Sequence, residues 1–461
     1  MIPQIRCRPF GCLKLGRRLT GLGEILFLAL QNFGRKLFEV DKRGIPDIMR
    51  NVRMNTGATT EPLKESPRLM SLDALRGFDM FWILGADALV SALNSLSSNP
   101  VIHLISTELD HAEWQGFHFE DLIFPLFVFM MGVSTVFSLT KIIAAEGRNA
   151  AVKRVLRRGS LLFLLGLFYY GGFSHPWPDM RLMGVLNRIA LCYTIGGLLF
   201  IYFRPRTLIA IAAGLLLGYW ALMALVSFPD VRPVPGGDTV ITKEAGITNT
   251  AQLNMASTVR LRGVYIQGVN LANYIDQKYL PGMRWDGTYD PEGILSTMPA
   301  VVTGLLGVFA GLLIRNKSVP DLKKVGWLIG AGILSATVGW IWSIEFPVIK
   351  KLWTSSYVLV AGGYSAIFLG VFYWMVDVQK WRWWCQPFVW VGMNPITLYV
   401  LRELIGGYEA MGQRITGGPI QAFLNAHVVD GFGDLVVALT AIVVLFWFAH
   451  FLYKRNILIR L

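Results

Sequence analysis

The sequence predicts an all-α polytopic membrane protein of about ten transmembrane helices, with a small extracytoplasmic insert between the fifth and the sixth. Three observations predict it. Hydrophobic residues make up 54% of the chain, charged residues only 16%, and the mean hydropathy is +0.48. The apolar residues gather into segments near the ~20 residues that a helix needs to cross a bilayer. The basic residues gather in short connections between those segments, as cytoplasmic loops do. The net charge of +13 therefore reports topology, and nucleic acid is not an expected partner. Of the four cysteines, Cys7 and Cys12 fall in the N-terminal tail and Cys192 and Cys385 in apolar segments, so no disulfide framework or CxxC metal site is indicated.

Five apolar segments come first, at about residues 71–96, 119–140, 155–173, 182–203 and 206–228. Five more follow a long polar insert, at about 292–314, 325–345, 355–376, 384–405 and 434–453. An even count puts both termini on one side. Lys141, Arg148, Lys153, Arg154, Arg157 and Arg158 crowd the second connection, and Arg204, Arg206, Arg315, Lys317, Lys323, Lys324, Lys380, Arg382, Lys454 and Arg455 recur in alternate ones. Those connections are expected in the cytoplasm. The connection holding Glu108, Asp110, His111 and Glu113 carries no Lys or Arg and is expected on the opposite face, as is the insert from about 229 to 291. That insert bears Pro233, Pro235, Gly236, Gly237, Asn270 and Asn273, is too polar to span, and reads as a small cap over the outer mouth.

Residues 1–67 read as a cytoplasmic tail ahead of a transmembrane domain over 68–461. Arg6, Arg8, Lys14, Arg17 and Arg18 precede a short apolar patch, Ile25 to Leu30, which is interrupted by Gln31, Asn32 and Arg35 without a small-residue cleavage site; this argues against a signal peptide. An interfacial amphipathic helix and a start at Met54, leaving residues 1–53 untranslated, are the readings left open. No internal repeat of the kind that marks inverted-repeat transporters is visible.

The first segment carries Asp73, Arg76, Asp79 and Asp87, a heavy ionic load that cannot face lipid. Asp73 and Arg76 are three apart and pair on one face, for which a structural ion pair is the plainer reading. Asp87 has no local basic partner. A buried carboxylate there is either protonated or paired with a base from another helix, for which Arg188 and His111 are the candidates.

His111 opens the run His111-Ala-Glu-Trp114-Gln-Gly116-Phe-His-Phe-Glu-Asp121, just ahead of a spanning segment, where an imidazole can exchange protons near neutral pH. Its plain reading is a loop histidine bonded to backbone. Glu108, Asp110 and Glu113 nevertheless supply carboxylates able to fix its tautomer and raise its basicity, as the third member of a triad does. His103 and His118 share the loop, but their spacing matches no ligand pattern and no metal is expected.

Asp121 opens the second segment and Asp290-Pro291-Glu292 the sixth, where a carboxylate meets the helix dipole favourably. With His111, Trp114 and the insert they would line one polar cavity. It would suit a sugar whose hydroxyls need carboxylate acceptors and whose ring face stacks on Trp114 or Trp285, although Trp114 also reads as an interfacial anchor. Asn394, within Gly392-Met393-Asn394-Pro395 of the ninth segment, is expected in a kinked pocket wall.

These residues fall in separated motifs: Leu72-Asp73-Ala74-Leu75-Arg76-Gly77, the run from His111 to Gly132, Gly184-Val185-Leu186-Asn187-Arg188, Tyr289-Asp290-Pro291-Glu292-Gly293-Ile294-Leu295, Lys351-Leu352-Trp353-Thr354-Ser355-Ser356-Tyr357 and Gly392-Met393-Asn394. In their order and spacing, from about residue 68 to the C-terminus, the chain resembles the heparan-α-glucosaminide N-acetyltransferase family, part of a wider transmembrane acyltransferase group with many bacterial members.

The resemblance implies transfer of an acetyl group from cytoplasmic acetyl-CoA, as co-substrate, to a glucosamine amine across the membrane, in a bacterial inner membrane with both termini cytoplasmic. It makes His111 the catalytic residue, either carrying the acetyl group or acting as general base. Asp87 aligns with an asparagine partner in the lysosomal members. An ionised Asp87 cannot donate a hydrogen bond to an oxyanion, so its expected role is to orient His111 or bind the substrate ammonium. Trp114, Asp121, Arg188, Asp290, Glu292 and Asn394 are the expected substrate-binding residues. The phosphates of CoA suit Arg76 or the cluster Lys153, Arg154, Arg157 and Arg158. The large luminal domain of the animal members has no counterpart in residues 1–67, so the acceptor need not be heparan sulfate. Expected partners are an amino-sugar or glycan acceptor, acetyl-CoA, the lipid bilayer and, as an option left open, a second copy of the chain. An amino-sugar or N-acetyl-sugar transporter and a polysaccharide O-acetyltransferase are the competing functions.

Overall fold

A computed structural model describes residues 69–96, 99–230 and 260–458; the expected tail and much of the insert lie outside the described residues. In chain order the helices are α1 Met70–Phe81, α2 Asp87–Leu96, α3 Pro100–Glu108, α4 Glu120–Glu146, α5 Arg148–Tyr169, α6 Val185–Tyr202, α7 Pro205–Leu225, α8 Leu271–Tyr279, α9 Thr297–Arg315, α10 Asp321–Trp342, α11 Ser355–Phe372, α12 Gln386–Met393, α13 Pro395–Leu404, α14 Tyr408–Thr416, α15 Gly418–His427 and α16 Phe432–Lys454. Among the described residues seven helices are long and apolar enough to cross a bilayer: α4, α6, α7, α9, α10, α11 with its continuation to Val378, and α16. The protein is a helical membrane protein.

The other three segments read from the sequence are helical without being single apolar rods. Segment 71–96 is broken by a π-helical turn at Trp82–Ala86 between α1 and α2. The wide turn disturbs the backbone ladder, and Arg402 of α13 donates to the Ile83 carbonyl at 2.9 Å, which gives an arginine in an apolar segment a backbone partner. Segment 155–173 lies in α5 as far as Tyr169, and the first turns of that helix are basic. Segment 384–405 divides at Asn394–Pro395 into α12 and α13, because proline cannot donate to the helical ladder and clashes with the preceding turn.

Burial separates a centre from a rim. The apolar stretches of α4 and α9 are 67% and 78% buried, against 28% for α7 and α10, so α4 and α9 form the inner pair and α7 and α10 present their faces to lipid. Small residues set the inner spacing. Gly307 of α9 lies against the Phe129 carbonyl of α4, and Gly132 of α4 against the Gly304 carbonyl; a Cβ at either would overlap the facing backbone. Gly77 of α1 and Gly392 of α12 meet the backbones of Phe388 and Asp73 in the same way. Gly307→Leu is therefore expected to force the central helices apart at a cost of about 1–3 kcal/mol or more, read as a lower thermal midpoint of the detergent-purified protein.

The described insert is small. Strand β1 Phe228–Pro229 pairs antiparallel with β2 Arg260–Leu261, and β3 Tyr265–Ile266 with β4 Val269–Asn270. Asn270 caps α8 by accepting from the Asn273 N–H at 3.0 Å. Buried Phe228, Leu271 and Ala272 pack with Tyr219, Met223, Phe346 and Ile349, so the insert is seated on the ends of α7 and α10 and on the segment before α11. That seat positions Trp114 and Lys350 beside His111.

Candidate active site

The segment between α3 and α4 is folded around one carboxylate. Asp121, 0% exposed, accepts from the Ala112 N–H at 3.2 Å and the His118 N–H at 3.0 Å, both on Oδ2. Its backbone carbonyl accepts from the Tyr357 hydroxyl of α11 at 2.7 Å. Gly116, at φ +130°, a value open to glycine, donates to the Val348 carbonyl at 3.0 Å. Trp114 donates from Nε1 to the Tyr265 carbonyl at 2.7 Å and sets its ring edge-on to Tyr289, which ties the segment to the insert.

These bonds bring His111 over the other oxygen. Nδ1 of His111 lies 3.2 Å from Asp121 Oδ1, with 55% of the histidine side chain exposed. Alignment there falls short of a hydrogen bond. Lys350 completes the group: its Nζ is 3.0 Å from His111 Nδ1, 3.3 Å from Nε2 and 3.5 Å from Asp121 Oδ1. Burial holds the Lys350 ammonium below its usual range, against the attraction of Asp121 and Glu120, while 21% of the side chain still reaches solvent. A proton on Nδ1 directed at Asp121 would leave Nε2 as the basic nitrogen, on a ring whose side chain is more than half exposed.

A second cluster lies on the segment before α9. Arg181 donates to Asp290 through Nε at 2.9 Å and Nη2 at 2.8 Å, and to Glu292 at 2.7 Å. Its guanidinium lies between the rings of Tyr170 and Trp285, 4.5 and 4.7 Å from their centroids. Asp290 also accepts from the Trp285 and Glu292 N–H groups, so its oxygens are taken up in holding the fold. Lys351 pairs with Asp286 at 2.7 Å and thereby links this segment to the one carrying Lys350. A cavity of about 720 Å³ opens beside it, with Trp285, Tyr169, Arg402, Glu403 and Glu409 among its walls; His111 is not in that lining.

Arg188 is fully buried in α6. Its Nη2 donates to the Ser296 hydroxyl and, at 3.4 Å, to the Gly293 carbonyl, and the guanidinium lies 4.9 Å from the Trp353 centroid. Nε and Nη1 have no partner among the described residues. Trp353 stands edge-on to Tyr357 at 5.3 Å, so packed rings connect Arg188 to Asp121. Below the cluster Asp276 of α8 accepts from the Ile294 N–H at 2.9 Å. Burial, reinforced by Asp290 and opposed by that bond and Arg188, raises its carboxyl to about 7. A carboxyl raised in the fold stabilises it most below the unfolded value near 4 and loses that contribution as pH rises to 7. The wild type is expected to lose thermal stability over that window, by up to about 1.4 kcal/mol per pH unit. Asp276→Asn should flatten the profile when melting midpoints are compared.

The remaining sequence candidates are spread. The backbone of Asp87 opens α2, and its side chain lies outside the described residues. Asn394 donates to the Ile457 carbonyl at 2.9 Å, in the company of the C-terminal segment and not of the His111 group. Arg76 pairs with Asp73 at 3.1 Å and donates to the Ser134 hydroxyl at 2.6 Å. Lys153, Arg154 and Arg157 are exposed on α5, an open basic face suited to phosphates, whereas Arg158 lies over the Tyr193 ring at 5.0 Å. Reading the sequence missed Lys350 and Arg181. Both stand in connections expected outside, against the rule that basic residues gather inside, and that exception was the available signal.

Residues 68–239 match the family model described as heparan-alpha-glucosaminide N-acetyltransferase, catalytic. The chain is 25% identical over 445 residues to the human heparan-alpha-glucosaminide N-acetyltransferase, covering 83% of this chain and 62% of that protein. It is 27% identical over 378 residues to the mouse protein of the same name, covering 75% of this chain and 55% of that one. The aligned region thus spans a little over half the length of these curated relatives. The His111–Asp121 pair and Arg188 both lie inside the residues that are similar to the family model described as catalytic.

Proposed function

We propose that the chain is a transmembrane acetyltransferase that takes acetyl from acetyl-CoA on the cytoplasmic side and delivers it to the amine of a glucosamine-type sugar on the other. The observation that carries the reading is His111, exposed at the mouth with Nδ1 3.2 Å from the buried Asp121 carboxylate. Asp121 fixes the ring and favours the tautomer with a basic Nε2. An acceptor ammonium must lose a proton before it can attack, and imidazole suits that task near neutral pH. The amine nitrogen then bonds to the acetyl carbon, the carbon–sulfur bond breaks with its electron pair going to sulfur, and CoA leaves as thiol. Whether acetyl passes directly or by way of His111, the same groups face the reaction. The Nε and Nη1 of Arg188, which have no hydrogen-bond partner among the described residues, would be the donors for a developing oxyanion, a role that an ionised Asp87 could not fill.

The orientation follows the basic connections, with both termini cytoplasmic, ten spans over residues 68–461 counting α1–α2, α5 and α12–α13, a cap over 229–291 and a bacterial inner membrane as the setting. CoA phosphates would meet Arg76 or the exposed Lys153, Arg154 and Arg157 face. The acceptor is tested by thiol release from acetyl-CoA with a panel of amino sugars and sugars bearing hydroxyls only. Release confined to amino sugars supports N-acetylation. Equal release with the hydroxyl sugars would replace it with O-acetylation.

A further inference from the structure

The group that stands against His111 is itself a primary amine. Lys350, on the connection between α10 and α11, brings Nζ to 3.0 Å from His111 Nδ1, 3.3 Å from Nε2 and 3.5 Å from Asp121 Oδ1. The backbone around it is pinned at several points. Gly116 donates to the Val348 carbonyl at 3.0 Å, the Ile349 N–H to the Thr354 hydroxyl at 3.1 Å and the Trp353 N–H to the Lys350 carbonyl at 2.9 Å. Phe346 and Ile349 are buried against the insert. The amine is therefore set beside the imidazole by the fold, and 21% of the side chain reaches solvent. The next residue, Lys351, is engaged elsewhere, with Nζ 2.7 Å from Asp286.

An acceptor that gives a proton to His111 must hold its nitrogen within hydrogen-bond reach of the imidazole. Lys350 Nζ already meets that requirement, and the Asp121 carboxylate that would steady an acceptor ammonium steadies this one. An amine becomes a nucleophile when it is neutral and accessible. Burial holds the Lys350 ammonium below its usual range, against the pull of Asp121, and a base is in contact with it. With no sugar in the site, Lys350 is the amine closest to hand for an arriving acetyl group.

We propose that Lys350 is an internal acetyl acceptor, which takes acetyl on Nζ when the site holds a donor thioester and no sugar. The Lys350 nitrogen bonds to the acetyl carbon, and the carbon–sulfur bond of acetyl-CoA breaks with its electron pair going to sulfur. Of the two protons that the ammonium gives up, one ends on sulfur and the other leaves through His111 to solvent. The product is an amide, which does not pass its acetyl on. It faces Asp121 without a charge and fills the approach to Nε2, so the modified protein is slowed towards sugars and scarcity of acceptor acts as a brake.

The inference rests on the acetyltransferase reading for its donor. The test incubates purified protein with acetyl-CoA, with and without glucosamine, and maps acetylated lysines by mass spectrometry. The expected result is one acetyl group on Lys350, suppressed by glucosamine and absent from His111→Ala, while Lys351 and the exposed Lys278 stay unmodified. Protein incubated beforehand with acetyl-CoA alone should lose transfer activity in proportion to its modified fraction. Lys350→Arg, which keeps a charge but offers no free amine, should show no such loss relative to its own starting activity. Lys350 unmodified in a preparation that acetylates glucosamine would overturn the inference and leave the acetyltransferase reading in place. Equal labelling of Lys350, Lys351 and Lys278 in wild type and His111→Ala alike would also overturn it, as uncatalysed acetylation by the thioester. No thiol release, with neither glucosamine nor Lys350 acetylated, removes the acetyltransferase reading and the inference with it.

Discussion

His111→Ala is expected to lower acetyl transfer by about 10²–10⁴-fold, the range for removing a positioned base, while the protein stays folded. The structural half follows from where the loop's bonds are. The segment is held by Asp121 through the Ala112 and His118 amides, by Gly116 on Val348 and by Trp114 on Tyr265. None of these bonds uses the imidazole, more than half of which is exposed. Removing it leaves Lys350 facing Asp121 at 3.5 Å, so the carboxylate keeps a counter-charge. Unchanged melting with transfer lost would locate the chemistry, and transfer retained in the variant would remove His111 from it.

Asp121→Asn is expected to produce a loss of similar size by a different route. Oδ2 of Asp121 accepts two backbone N–H bonds, so the amide oxygen of asparagine must occupy that place and its NH2 must face His111. The imidazole then has to accept at Nδ1 and carry its proton on Nε2, the nitrogen that should be basic. A carboxylate-to-amide change beside a catalytic histidine can cost about 10⁴-fold by this inversion of tautomer. The expected signature is a fall in kcat with little change in the acceptor KM. A variant within a few-fold of wild type would mean that Asp121 serves the loop alone.

The helical membrane class was legible because hydropathy and the distribution of lysine and arginine act along the chain, and α4, α6, α7, α9, α10, α11 and α16 lie in seven of the segments that hydropathy marks. The breaks were not. A π-helical turn at Trp82–Ala86 leaves no gap in an apolar run, and its partner, Arg402, comes from 319 residues away. The site divides in the same way. His111 and Asp121 stand ten residues apart in one motif, so both are visible, although the sequence suggests a helix-dipole acid and a substrate ligand at Asp121, and its grip on the loop amides depends on a fold that the spacing does not describe. Lys350 reaches His111 across 239 residues. Asp290 and Glu292 were read as acceptors for sugar hydroxyls, but Arg181, 109 residues from Asp290, occupies them. Long-range ion pairs leave no periodic trace, and only a basic residue on the unexpected side of the membrane betrays them.

The central claim is that acetyl crosses the membrane while its donor does not. Wild-type protein reconstituted into sealed vesicles, with acetyl-CoA on the side of the basic connections and glucosamine on the other, measures it directly. N-acetylglucosamine accumulating on the glucosamine side, with free CoA thiol appearing on the donor side and both dependent on His111, is the predicted result. Glucosamine crossing unmodified without thiol release would contradict the account and identify a transporter.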